Sequence, residues 1–149
     1  KKWKQENLPL ETKSNGFKPA TFSGKINSEM ISGFEYIHDN LDHLKILDAR
    51  SEEEFNGKII RAAHAGHVPN AMNIDWNLNL NEDGTFKDDE ELSKLYDIPK
   101  NSEIVTYCQG AYRAANTFLV LKKLGFQNVR VYLGSWGEWG NRLDLPVEK

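Results

Sequence analysis

Glu103-Ile-Val-Thr-Tyr-Cys108, then Gln109-Gly110-Ala111-Tyr112, then Arg113-Ala-Ala-Asn-Thr-Phe-Leu-Val-Leu-Lys-Lys-Leu-Gly125 is the stretch from which the fold is read. The first part is a short run rich in β-branched and aromatic residues, so it predicts a buried strand. The last part has apolar residues at helical spacing, with Gly125 as the residue just past its end and Lys122 and Lys123 favourably placed against the dipole. The loop between them is short. A cysteine that ends a strand and feeds such a loop has successive backbone N–H groups and the positive end of a helix dipole directed at its sulfur. That setting favours a thiolate, the nucleophilic form, and the Arg113 guanidinium favours it further. A lone cysteine is more commonly a small buried hydrophobe, but this strand-loop-helix position is the one expected of a nucleophile.

Composition narrows the alternatives. A chain of 149 residues carries one domain with a real core, to which four tryptophans, seven phenylalanines and five tyrosines contribute. The net charge of −3 gives no basic footprint, which argues against a nucleic-acid partner. A single cysteine forms no disulfide within the chain, so a reducing, cytoplasmic location is expected. No apolar run approaches the ~20 residues of a membrane span. The opening Lys1-Lys-Trp-Lys-Gln-Glu6 lacks the apolar centre of a signal peptide, and the absence of an initiating methionine suggests a fragment or a processed product.

Working outward from the cysteine, residues 12–25 read as a linker, because turn formers predominate and periodicity is weak. A helix is predicted from Ser28 to about Asn40, with Met30, Ile31, Phe34 and Ile37 on one face. Leu44–Asp48 reads as a strand, and Ser51 with Glu54 matches a capping box that opens a brief helix. Gly57–Gly66 reads as loop, Ala71–Ile74 as a strand and Asp88–Tyr96 as an acidic-capped helix. Asn128–Tyr132 reads as the last strand and Ser135–Asn141 as a final short helix. Strands alternating with helices predict an α/β fold, a central parallel sheet flanked by helices on both faces. Ligands of such sheets sit beyond the carboxyl ends of the strands, where Asp48 and Cys108 both stand. The chain also resembles itself. Trp3-Lys-Gln-Glu-Asn-Leu-Pro-Leu-Glu11 and Trp139-Gly-Asn-Arg-Leu-Asp-Leu-Pro-Val-Glu148 are each a tryptophan followed by Leu-Pro-apolar-Glu. Residues 1–11 are therefore expected to be the tail of a preceding copy of the domain, 12–25 a linker and 26–149 the catalytic domain.

Four stretches together resemble the rhodanese (sulfurtransferase) family. They are Leu47-Asp-Ala-Arg50 with its capped helix, Gly66-His-Val-Pro-Asn-Ala-Met-Asn73, the Cys108–Arg113 loop, and Gly134-Ser-Trp-Gly-Glu-Trp139. The last is similar to the closing signature of the catalytic half of two-domain members. The resemblance spans roughly residues 26–141 and implies the rhodanese fold, with Cys108 passing a sulfur atom through a persulfide. The chain departs from the family pattern at several positions. Ala111 and Asn70 stand where glycine is usual, Leu133 where an acidic residue is frequent. Gln109 and Glu54 stand where thiosulfate-specific vertebrate members carry cations.

The chemistry expected is a double displacement. Ionised Cys108 takes the outer sulfur of a donor such as thiosulfate, and a thiophilic acceptor such as cyanide or a thiol removes it, without metal or cofactor. Gln109, Gly110 and Ala111 are expected to serve through their N–H groups, Tyr112 to stand at the pocket mouth, and Asp48, Arg50 and His67 to support the loop. Arg113 either faces the sulfur and donor or forms a structural ion pair. Glu52–Glu54 reads as a solvated first turn. His64 and His67 lack a third ligand, so no metal site is predicted. An arginine closing the loop favours thiosulfate over 3-mercaptopyruvate as donor. Two other readings compete: a phosphatase or arsenate reductase, whose loop is normally longer than the four residues here, and a noncatalytic binding module, which commonly lacks the cysteine.

Overall fold

The computed structural model describes all residues, 1–149. Five strands form one sheet: β1 (Ile31–Ser32), β2 (Lys45–Asp48), β3 (Ala71–Asn73), β4 (Ile104–Tyr107) and β5 (Val129–Tyr132). Their order is β1-β5-β4-β2-β3, and every neighbouring pair is parallel. The helices are α1 (Lys2–Gln5), α2 (Phe34–Asp39), α3 (Glu52–Phe55), α4 (Asp89–Leu95), α5 (Tyr112–Lys123) and α6 (Ser135–Trp139). Asp48 lies opposite both Asn73 and Tyr107, so β2, β3 and β4 end level with one another. The residues that follow form the crevice expected at the carboxyl edge.

Strand alternation builds a separate core on each face of the sheet. Ile46, Val105, Tyr107 and Tyr132 pack with Ile37 of α2 and with Trp136 and Trp139 of α6. Leu47, Ile104 and Val129 point the other way, against Leu92 of α4 and Val120 and Leu121 of α5. Helices therefore cover both faces, as predicted. Residues 12–25 carry no helix or strand, and their side chains are exposed throughout.

The helix predicted from Ser28 to Asn40 is broken. Asn27 caps a single 3-10 turn, Ser28–Met30, by accepting from the Glu29 N–H, after which Ile31 and Ser32 pair with Val131 and Tyr132 as the edge strand. Gly33 then starts α2 from an extended conformation. β-branched Ile31 favours the extended state, and the spacing of Ile31, Phe34 and Ile37 mimics a continuous helix face. A 3-10 turn at Trp76–Asn79, capped by Asp75, was not anticipated. It buries Asn79, which accepts from the Tyr96 hydroxyl at 2.7 Å.

Candidate active site

Cys108 directly follows β4 and is 1 % exposed, in a small apolar cluster with Ala49, Ala114 and Val131. The surface cavities of the molecule lie elsewhere, so the sulfur sits beneath the surface. Burial alone would suit an inert core thiol. The surrounding backbone does not. The N–H groups of Gln109, Gly110, Arg113 and Ala114 have no acceptor within the chain. Two of these belong to the first turn of α5, whose donors are free by helix geometry. Unpaired N–H groups in the loop and the helical turn after it are what an anion cradle is built from.

The loop is held open from the far end of the chain. Ser135 Oγ accepts from the N–H groups of Cys108 (3.3 Å) and Ala111 (3.1 Å) and donates to the Tyr132 carbonyl (2.9 Å). The next two N–H groups, of Trp136 and Gly137, each donate at 2.9 Å to the carbonyls of Cys108 and Gln109. A Cβ on Gly137 would stand 2.9 Å from that Gln109 carbonyl, so the approach requires glycine. The Gly-Ser-Trp-Gly-Glu-Trp signature thus works as the frame of the cysteine loop. Sequence reasoning quoted Ser135 but assigned it no role.

The predicted loop residues behave differently from one another. Ala111 gives its N–H to Ser135 and so leaves the cradle, and it adopts φ +68, the left-handed conformation for which glycine is usual. Gln109 Nε2 donates to the Arg61 carbonyl at 3.2 Å, tying the loop to the irregular segment 57–66, while its buried Oε1 has no partner. Tyr112 is 91 % exposed, on the outer surface. Arg113 binds Glu54 through two hydrogen bonds of 2.6 and 3.0 Å. That contact raises its pKa against the opposing effect of burial, and the Cys108 sulfur, also within its reach, adds to the rise. The structural ion pair weighed for Arg113 is therefore formed.

Glu54 is correspondingly not solvated. Its side chain is 4 % exposed, completes the capping box with Ser51, and meets Arg113 and Arg61, the latter at 3.1 Å. Burial pushes its carboxyl up, but the Arg113 hydrogen bond, the Ser51 N–H and both guanidinium charges outweigh it and hold it below the ordinary value. The capping-box match located Glu54; nothing local to it disclosed Arg113.

Asp48, Arg50 and His67 brace the crevice. Arg50 and Asp48 form a buried pair with a 2.6 Å contact, and Arg50 also donates to the Gly66 carbonyl at 2.8 Å and stacks 4.6 Å from the Trp136 ring. One guanidinium so joins β2, the 57–66 segment and α6. His67 bonds the Phe55 carbonyl through Nδ1 at 3.0 Å and stacks on the Phe55 ring at 3.6 Å, the backbone-bonded imidazole its sequence setting suggested.

A parallel sheet with helices on both faces thus carries, at its carboxyl edge, a cysteine loop framed by Ser135. The chain belongs to the Rhodanese-like domain family, which it matches over residues 34–142. Among curated relatives, it is 37 % identical to the sulfur carrier protein TtuD of Thermus thermophilus, over 99 % of this chain and 58 % of that protein. It is 33 % identical to the thiosulfate sulfurtransferase of Azotobacter vinelandii, over 98 % of this chain and 56 % of that one. The chain spans little more than half the length of these relatives. The anaerobic ergothioneine biosynthesis enzyme from Chlorobium limicola shares the fold, with a TM-score of 0.88 at 21 % identity over 99 % of this chain and 39 % of that one.

Proposed function

We propose that this domain is a sulfurtransferase that carries a sulfane sulfur on Cys108. The observation behind the reading is a group of four N–H donors without acceptors, two in the loop after the single cysteine and two in the first turn of the helix that follows. In the first half-reaction the thiolate attacks the outer sulfur of thiosulfate, the S–S bond of the donor breaks, and sulfite leaves with the bonding pair. Cys108 then holds a persulfide whose terminal charge the cradle stabilises. In the second, cyanide or a thiolate attacks that terminal sulfur, and the cysteine departs as thiolate. Each cradle donor contributes on the order of 3 kcal/mol to the charged states, by analogy with oxyanion sites.

Only four residues separate Cys108 from Arg113, a tight loop that favours a single sulfur atom over a whole phosphate, and thiosulfate is the donor favoured over 3-mercaptopyruvate because an arginine closes the loop. No metal or organic cofactor enters this chemistry. No helix is long and apolar enough to cross a membrane, and a cytoplasmic location remains part of the proposal.

The test is incubation with thiosulfate followed by mass measurement. Addition of one sulfur, its removal by cyanide and its loss in Cys108→Ser support the reading. Hydrolysis of an aryl phosphate with no sulfur uptake would mark a phosphatase instead, and neither activity would mark a binding module.

A further inference from the structure

Within Gly134-Ser-Trp-Gly-Glu-Trp139, the residues Ser135, Trp136 and Gly137 frame the cysteine loop and Trp139 enters the core, which leaves Gly134 and Glu138 without a role. Both act on Tyr132. This tyrosine is the last residue of β5, fully buried and edge-on to the Trp139 indole at 6.4 Å. Its hydroxyl donates to Glu138 Oε2 at 2.7 Å. Gly134 has φ −62 and ψ −34, a conformation open to any residue, so its backbone does not call for glycine. Space does. A Cβ there would collide with the Glu138 carboxylate, which folds back across the turn between β5 and α6 to reach the tyrosine.

The carbonyl of the same tyrosine decides how Ser135 is used. A hydroxyl has one hydrogen and two lone pairs. The Ser135 hydrogen goes to the Tyr132 carbonyl at 2.9 Å, so both lone pairs are left for the N–H groups of Cys108 and Ala111. Were that carbonyl to turn away, the hydroxyl would rotate and the loop would lose its fixed acceptor. We propose that Glu138 is a positioning residue for the Cys108 loop, acting through the Tyr132 hydroxyl, the Tyr132 carbonyl and the Ser135 hydroxyl in turn. The turn needs such a brace. Helix α6 is five residues long, and Ser135 enters it at φ +54, so the segment has little helical stability of its own with which to hold the frame. The effect on rate rests on the sulfur transfer proposed above; the effect on loop geometry does not.

Two measurements on the 149-residue chain test this role. The first is hydrogen exchange at the Cys108 and Ala111 amides, which reports the frame directly. Glu138→Ala and Tyr132→Phe should each speed exchange there by roughly tenfold or more relative to the amides of β2, a ratio that discounts any global loss of stability. The second is stopped-flow sulfur uptake from thiosulfate. The same two variants should lower its maximal rate by roughly tenfold and leave the half-saturating thiosulfate concentration unchanged. Glu138→Gln keeps an oxygen that accepts from the tyrosine, so it should restore both readouts to near wild type. Leu92→Ala, on the opposite face of the sheet, weakens the core without touching the frame and should take up sulfur at the wild-type rate while folded. Loop amides that keep their wild-type ratio to β2 in both variants overturn the inference. So do wild-type uptake rates in both, and so does a Glu138→Gln as impaired as Glu138→Ala. A wild-type chain that takes up no sulfur overturns the function proposed for Cys108 instead, and the exchange ratio still decides the role of Glu138.

Discussion

Glu54 and Arg113 stand 59 residues apart in the chain and meet through two hydrogen bonds at the start of the helix that follows the Cys108 loop. The carboxylate fixes the orientation of a guanidinium at the end of the Cys108 loop.

Glu54→Gln should therefore lower the rate of sulfur uptake and the stability together. The stability loss expected is about 2 kcal/mol, between that of an exposed and that of a fully buried ion pair. Arg113→Lys keeps the charge but loses the two-pronged grip, and should fall between wild type and Arg113→Ala in uptake rate. Stopped-flow persulfide formation and urea unfolding measure the two effects. Unchanged uptake in Glu54→Gln would refute the positioning role.

The same pair predicts a pH dependence. The Glu54 carboxyl titrates lower in the folded chain than in the unfolded one, so acidification protonates the unfolded state first. Its stabilising contribution is complete above the unfolded value, about 4.3, and disappears as pH falls through the depressed folded value. Unfolding free energies of wild type and Glu54→Gln should differ at neutral pH and converge toward acid. A gap that widened on acidification would contradict the assignment.

Ser135 holds two loop N–H groups from a buried site while itself at φ +54. Ser135→Ala should cost on the order of 2 kcal/mol, because it leaves buried donors unpaired and keeps the backbone strain. Ser135→Gly removes the hydroxyl and the strain together, so it should be the milder change by about 1 kcal/mol. Both should slow persulfide formation. Equal melting temperatures for the two variants would show that φ carries no penalty there.

Ala111 and Asn70 occupy left-handed conformations, φ +68 and +62, at the two positions where the family usually has glycine. Ala111→Gly should stabilise the fold by about 1 kcal/mol and preserve sulfur uptake, since the N–H bonded to Ser135 is retained. Asn70→Gly should gain less, because asparagine tolerates this region. Thermal melts of the two variants test the order.

The buried pair of Asp48 and Arg50 gives a further expectation. Asp48→Asn removes the carboxylate charge that offsets buried Arg50, leaving only neutral partners, the amide oxygen, the Gly66 carbonyl and two aromatic faces, and should destabilise by about 3 kcal/mol or more. Cys108→Ser, by contrast, should unfold close to wild type. If Asp48→Asn unfolds like wild type, the pair is not a brace.

The sequence by itself determined the elements whose causes are local. The β-branched and aromatic run Ile104–Tyr107, the helical spacing after Arg113 and the Ser51–Glu54 capping box each depend on groups a few residues apart, and all three elements are present. It misread Ser28–Asn40, where one short edge strand hides inside a helical spacing. Only the tertiary structure decided that Glu54 meets Arg113, that Ser135 frames the cysteine loop, that Ala111 turns its N–H away from the cradle, and that Arg50 joins three segments. Those contacts arise because the parallel sheet sets β2, β4 and β5 side by side, bringing their carboxyl ends together. Hydrogen bonds between such distant groups leave no periodicity in the sequence for local reasoning to detect.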